Sequence, residues 1–285
     1  MTDLPGWTEL WAEATEQLGS ADEVRHILEA ASGNSGASWL VTLDTPATVH
    51  ARERVREMVK RRLAGEPLQY VLGHWGFRQL DLKIDRRVLI PRPETEQVVE
   101  AALATIESLP APIVVDLGTG SGAIALSIAV EARAARVLAT DASADALEVA
   151  SANLAAMDAY VSERVRLQLG SWYDAIPIAL RSAIDLVVSN PPYVGEDERQ
   201  GLDRQVFDWE PKEALFGGAD GFDFVEHLVT EAPAWLKTSG ALVVEMAPRH
   251  TKDAAALARS VGFASVEIGT DYSGRDRWMV AKGTA

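Results

Sequence analysis

The sequence predicts an α/β protein: an open parallel sheet with helices on both faces, preceded by a helical N-terminal part. Three observations predict it. From about residue 91, short apolar runs alternate with segments of helical periodicity, the pattern of strand–helix–strand units. The runs Ile113–Leu117 and Ile184–Ser189 are apolar almost throughout, as strands covered on both faces must be. The first run leads straight into Gly118-Thr119-Gly120-Ser121-Gly122, a turn of the kind that opens a helix over a ligand.

Three stretches follow in order: a helical domain over 1–75, a β-hairpin linker over 76–90, and a catalytic domain over 91–285. In the first, Trp7, Leu10, Trp11 and Ala14 recur at helical spacing. Ala21–Ala31 follows Ser20, an N-cap, with Glu23 as capping-box partner. Thr45-Pro46 starts a further helix, with proline in its first turn. That helix carries Val55, Met58, Val59 and Leu63 on one face. Arg52, Arg54, Arg56, Lys60, Arg61 and Arg62 occupy the other. The basic face reads either as solvated surface or as a docking surface for an acidic or RNA-associated partner.

Residues 76–90 switch to period two, with Leu80, Leu82 and Ile84, then Val88 and Ile90, and a turn near Asp85-Arg86. Beyond Ile113–Leu117, a helix is expected over Ala123–Ala132, a strand over Arg136–Thr140 and a helix over Ala144–Ala156. Strands follow at Val165–Leu169, Ile184–Ser189 and Ala241–Met246. A helix at Ala254–Val261 and strands at Ala264–Ile268 and Arg277–Ala281 complete the pattern.

Composition narrows the function. Forty-two acidic against 27 basic residues give a formal charge of −15 over 285 residues. So acidic a chain is poorly suited to binding nucleic acid through its phosphates. There is no cysteine, and the five histidines are scattered, so no metal site is expected. The N-terminus has no basic segment followed by an apolar one, and no apolar run approaches the length of a membrane span. A soluble cytoplasmic protein is expected, with no membrane partner and as a monomer.

The glycine turn admits two ligands. Gly118, Gly120 and Ala123 formally satisfy a dinucleotide fingerprint, and Asp141, 25 residues after Asp116, suits the ribose of either NAD or S-adenosylmethionine (AdoMet). Asp141 could equally cap the next helix. Asp116 favours AdoMet: a carboxylate ahead of the glycines is awkward beside a pyrophosphate and natural beside the ammonium of a methionine moiety, directly or through water.

Asn190-Pro191-Pro192-Tyr193 follows the strand Ile184–Ser189. The two prolines fix φ, remove two donors and push Asn190 toward an extended conformation. The product is a stiff segment at the strand's C-terminal end, the edge where open α/β sheets bind ligands. Asn190 and the Pro191 carbonyl offer two acceptors, and Tyr193 a flat face. This combination suits a planar –NH2 conjugated to a carbonyl or ring. Such a nitrogen needs orientation and nearby carbonyl dipoles more than a base, because positive charge develops on it as it attacks a methyl group.

At these residues the chain resembles the AdoMet-dependent amino-methyltransferases, and more closely the peptide chain release factor N5-glutamine methyltransferase family. The resemblance runs from about Glu66 to the C-terminus. It is carried by Gln69-Tyr70-Val71-Leu72-Gly73 with Phe77, Leu89-Ile90-Pro91-Arg92-Pro93-Glu94-Thr95-Glu96, Asp116–Gly122, Asn190–Tyr193, Glu210-Pro211 through Ala214-Leu215 to Gly218, Asp220-Gly221, and Asp271-Tyr272 with Gly274 and Asp276-Arg277. It implies a class I (Rossmann-like) methyltransferase sheet of seven strands behind a helical N-terminal domain. It implies AdoMet as cofactor, S-adenosylhomocysteine as product, and the glutamine of a release factor's Gly-Gly-Gln loop as substrate.

By position, Gly118, Thr119, Gly120, Ser121 and Gly122 would line the methionine part of AdoMet, with Asp116 close by, and Asp141 would bind the ribose. Asn190 and Pro191 would hold the glutamine amide, Asn190 also bordering the cofactor, with Pro192 and Tyr193 shaping the slot. The family has Asp-Trp near the adenine. Here Ser171-Trp172 stands there, keeping the aromatic and replacing the acid with a weaker acceptor, so weaker AdoMet binding is expected.

Asn-Pro-Pro-Tyr is shared with DNA adenine and RNA guanine methyltransferases, whereas the Pro-Arg-Pro-Glu-Thr-Glu segment is more specific to the glutamine enzymes. A nucleic-acid amino-methyltransferase is therefore the runner-up, and it lacks an evident recognition domain here. A ribosomal-protein glutamine is an alternative substrate. A nicotinamide oxidoreductase leaves Asn190–Tyr193 without a role. A non-enzymatic AdoMet-binding partner of translation would bind AdoMet without turnover.

Overall fold

The structure, a computed structural model, describes residues 6–284. The chain divides into two compact units. One runs to His74 and includes Asp203–Trp209; the other takes the rest.

The first unit is helical. Helix α1 (Trp7–Leu18) buries Trp7, Leu10 and Ala14 at the expected spacing, and helix α2 (Ala21–Ser32) buries Val24, Ile27 and Leu28. Ser20 caps α2 as expected, its hydroxyl accepting from the Glu23 N–H at 3.3 Å, but the expected capping box does not close: the Glu23 carboxylate accepts from Arg62 instead. A short helix α3 (Gly36–Thr42), which the periodicity does not announce, inserts Trp39 between Trp7 and Trp11, edge-on to one ring and stacked on the other. Helix α4 (Val49–Leu63) starts later than Thr45-Pro46. Thr48 is extended and its Oγ1 accepts from the Ala51 N–H at 3.1 Å, while Pro46 forms an isolated bridge with Gly6. Val55, Met58 and Val59 are buried, but Leu63 is exposed at the helix end.

The basic face of α4 is not uniform. Arg61 forks onto Glu66 at 2.6 and 2.8 Å and reaches the carbonyls of Tyr70 and Val71 in helix α5 (Leu68–Leu72). Arg62 forks onto Glu23 at 2.8 and 3.0 Å. These two arginines fasten the unit internally; Arg54, Arg56 and Lys60 are exposed.

A two-stranded sheet of β1 (His74–Phe77) and β2 (Leu80–Lys83) follows. Its turn is Arg78-Gln79, not Asp85-Arg86. Arg78 takes a positive φ of 49°. Its N–H donates to Glu96 at 2.8 Å, and its guanidinium forks onto Glu131 at 2.6 Å and meets Glu100 at 2.9 Å. Asp85 does turn the chain, with the Val88 N–H donating to its carbonyl. No strand follows, and Val88 and Ile90 are buried in irregular backbone. Contacts place the hairpin in the second unit from Trp75 onward.

The second unit is a sheet of β3 (Ile113–Leu117), β4 (Arg136–Asp141), β5 (Val165–Leu169), β6 (Ile184–Ser189), β7 (Leu236–Glu245), β8 (Phe263–Thr270) and β9 (Asp276–Thr284), ordered β5-β4-β3-β6-β7-β9-β8. The expected parallel pairing holds from β5 to β7; β9 runs antiparallel to both β7 and β8. Helix α6 (Pro93–Ile106), not anticipated, carries proline in its first turn. Helix α7 (Ala123–Glu131) is buried over most of its surface, and α8 (Ala144–Ala155) is capped by Ser143. Among the described residues no helix is long and apolar enough to cross a membrane.

Strand order reverses between β3 and β6, the switch point where ligands bind in open α/β sheets. Leu117 pairs with Thr140 on one side and Ser189 on the other. That register brings Gly118, Asp141 and Asn190, each the residue next along its strand, to one edge.

Candidate active site

The turn after β3 is held from below. The N–H groups of Gly118 and Thr119 both donate to the Thr140 carbonyl at 2.9 Å. Gly118, Gly120 and Gly122 have φ of 75°, 55° and 85°, which other residues adopt only under strain. Asp116 is fully buried; its Oδ2 accepts from Thr119 Oγ1 at 2.7 Å and the Ala125 N–H at 3.1 Å. It does not line the cavity, and its hydrogen bonds brace the turn from beneath. Its Oδ1 has no donor among the described residues, and burial pushes the carboxyl up to about 7.

Asp141 does line the cavity. One oxygen accepts from the Gly120 N–H and the other from the Ser143 N–H, each at 2.9 Å. Burial raises its pKa, opposed by these backbone donors. A carboxylate has about four acceptor positions, so Asp141 keeps capacity for a ligand's hydroxyl beside its backbone donors. Helix capping falls to Ser143, whose hydroxyl accepts from the Ala146 N–H.

The cavity has a volume of about 760 Å³, within the size range of small-molecule sites. Ser171 and Trp172 form part of its wall. Trp172 has a φ of 43°, a strained conformation that clusters at functional sites. It lies over Gly118 and against Phe224, ring centroids 4.9 Å apart. Phe224, also a wall residue, gave no signal in the sequence.

Asn190, Pro192 and Thr95 line the other end. Asn190 Nδ2 donates to Thr95 Oγ1 at 3.1 Å, and Thr95 Oγ1 donates to Glu245 Oε2 at 2.7 Å. Tyr193 OH donates to Glu245 Oε1 at 3.1 Å. Pro191 and Tyr193 are not among the residues lining the cavity, so the Tyr193 ring does not supply its expected open face. Behind the segment, a Cβ on Gly217 would strike the Pro192 carbonyl, and one on Gly221 the Tyr193 carbonyl. Arg92 pairs with the buried Glu210 at 2.6 Å, which ties the segment after β2 to the segment before Pro211. Glu245 is visible in the sequence as the one charged residue in the otherwise apolar run Ala241–Met246.

These residues fit AdoMet. Asp141 keeps acceptor positions that a ribose would use, Trp172 and Phe224 wall the cavity where an adenine would pack, and the glycine turn would leave its backbone open to the methionine part.

The profile of the PrmC N-terminal domain matches residues 9–73, and that of the methyltransferase small domain matches residues 97–208. The release factor glutamine methyltransferase of Xylella fastidiosa (strain Temecula1) is 38% identical over 280 residues, covering 98% of each chain. That of Bordetella pertussis is 40% identical over 256 residues, 90% of this chain and 92% of the relative. The hMettl16 catalytic domain, solved in complex with a MAT2A 3'UTR hairpin, superposes with a TM-score of 0.57 at 14% identity over 82% of this chain and 81% of its own; that likeness shows the class I methyltransferase fold. Identity across nearly the whole length, together with the matched N-terminal domain, makes this chain a member of the release factor glutamine methyltransferase family.

Proposed function

We infer that the protein transfers a methyl group from AdoMet to the side-chain amide nitrogen of a release-factor glutamine, the residue of the Gly-Gly-Gln loop. The observation that carries this reading is the Asn190 amide at the cavity edge. Its Nδ2 is already engaged by Thr95, so its Oδ1 is the atom left for a substrate N–H. When bound, AdoMet supplies an electrophilic methyl group.

Asp141 holds the ribose hydroxyls, Trp172 packs along the adenine, and Gly118–Gly122 leave room for the methionine chain. Ser171 takes the position of an adenine acceptor. Asn190 Oδ1 accepts an amide proton of the glutamine, and Pro192 bounds its slot; Pro191, outside the cavity wall, stiffens the segment that carries Asn190. The Asn190 acceptor turns its negative dipole end toward the nitrogen, offsetting the positive charge that builds there. No side chain has to remove a proton before transfer; the excess proton leaves afterwards.

The helical unit recognises the body of the factor, with the exposed Arg54, Arg56 and Lys60 as its basic patch. The test is incubation with labelled AdoMet and purified release factor, then mass mapping. Label on the Gly-Gly-Gln glutamine is expected. Label on a ribosomal-protein glutamine or on nucleic acid alone would replace this reading.

A further inference from the structure

Glu245 is buried completely at the end of β7, on the far side of Thr95 from Asn190. A buried carboxylate is unfavourable unless its acceptors are satisfied, and here Thr95 and Tyr193 satisfy one oxygen each. Thr95 has a single hydroxyl proton. While Glu245 is ionised it can only accept, so that proton points to Glu245 and the Thr95 oxygen can only accept from Asn190. The Asn190 amide is thereby held with Nδ2 toward Thr95 and Oδ1 toward the cavity. If Glu245 becomes neutral and donates to Thr95, the hydroxyl proton is released toward Asn190. The amide then gains by turning over, and presents N–H to a substrate that also brings N–H.

We propose that Glu245 is a positioning residue whose ionised carboxylate, acting through Thr95, fixes the Asn190 amide in the acceptor orientation needed to hold a substrate –NH2. The proposal rests on the amide-methylation reading above. It extends that reading from the motif to a three-residue chain spanning α6, the segment after β6, and β7. The groups around Glu245 are Thr95 and Glu94 on α6, Tyr193 beyond β6, and Arg277 on β9. Burial pushes the Glu245 carboxyl up to about 7, against the opposing pull of Thr95, Tyr193 and Arg277, with Glu94 adding a small upward push. Arg277 is itself paired with Asp271 at 3.4 Å. The switch between orientations therefore falls near neutral pH, with the productive form above it. Asp116 titrates in the same range, so comparing variants, rather than the wild-type profile alone, identifies the group.

The experiment measures kcat and KM for methylation of purified release factor by the full-length protein from pH 6 to 9. AdoMet affinity is followed by calorimetry. For Glu245→Gln, kcat at pH 8 is expected to fall at least about tenfold, with AdoMet affinity within about twofold. The acid limb near neutrality should disappear. A kcat within about threefold of wild type, or an unchanged acid limb, would overturn the proposal.

Should Glu245→Gln lose AdoMet binding through misfolding, Thr95→Val and Thr95→Ser decide. Valine should lose about tenfold in kcat and serine recover most of it, whereas equal rates overturn the proposal. If the wild type fails to methylate the factor, the functional reading falls by itself. The positioning claim is then read from the Asn190 side-chain amide resonances of 15N-labelled protein, assigned by their loss in Asn190→Ala. They should shift with pH near neutrality in the wild type and not in Glu245→Gln; an identical pH response in both overturns it.

Discussion

At Asn190 the chemistry comes down to which end of an amide faces the cavity. Asn190→Ala removes the acceptor while leaving the Asp141 and glycine-turn contacts intact. Methyl transfer should fall by at least about a thousandfold with AdoMet affinity unchanged in calorimetry; near-normal turnover would remove Asn190 from the site. Ser171 tests the other end. It is exposed at the cavity wall, and its hydroxyl does not cap the turn it begins. Ser171→Asp should tighten AdoMet by about three- to tenfold, because a carboxylate accepts more strongly than a hydroxyl. No change in calorimetric affinity would place the adenine amino group elsewhere. Asn190 and Asp141 are legible as cavity residues because one directly follows a strand and the other ends one; Ser171 and Trp172 are legible through the family resemblance. For Asp116 the structure removes the direct contact with a ligand that its place in the sequence allowed. Sequence places it next to the glycines, but β3 carries its side chain inward beneath the turn, where burial and the Thr119 hydroxyl engage it.

Among the elements, the segment that carries the two prolines depends on glycines far along the chain. Gly221 has a φ of 83° and lies against the Tyr193 carbonyl and the Gly195 N–H. Gly221→Ala should destabilise the protein by about 1–3 kcal/mol in urea melts. It should also lower kcat about tenfold by displacing Asn190. A stable, fully active variant would show that the segment tolerates the shift. Helix capping was read correctly at Ser20, and Ser20→Ala should cost about 1 kcal/mol in thermal unfolding of the helical unit. The hairpin turn was misplaced because Asp85-Arg86 has stronger turn chemistry than Arg78-Gln79. What fixes the turn is the pull of Glu96, Glu100 and Glu131 on Arg78, which no local pattern shows.

For the whole molecule, the charge of −15 makes the basic face of α4 an exception, and the structure narrows that face. Arg61 and Arg62 are committed to internal carboxylates, leaving Arg54, Arg56 and Lys60 at the surface. Reversing those three to glutamate should lower kcat/KM on the intact release factor about tenfold at low salt. Activity on a short Gly-Gly-Gln peptide should be unchanged, and the difference should shrink as salt screens it. Equal loss on both substrates would mean the patch is not a docking surface. Residues 203–209 group with the helical unit, Trp209 lying beside Gly65. A simple deletion of the N-terminal domain would therefore strip a catalytic-side segment of its packing, and charge reversal is the cleaner test.

By itself the sequence determined the alternation that makes a covered sheet, the glycine turn, the stiff Asn-Pro-Pro-Tyr segment and the family. All of these are local patterns, set by side-chain period and by what glycine and proline allow a backbone to do. Tertiary structure decided which way those groups face. Thr95 and Glu245 are 150 residues apart and Asn190 lies 95 beyond Thr95. Only the packing of α6 against the sheet brings them within hydrogen-bonding distance. The antiparallel β9, the inward Asp116 and the Asn190 acceptor each depend on a partner remote in the chain. A hydrogen bond is specified by two positions at once, and a sequence read along its length supplies one of them.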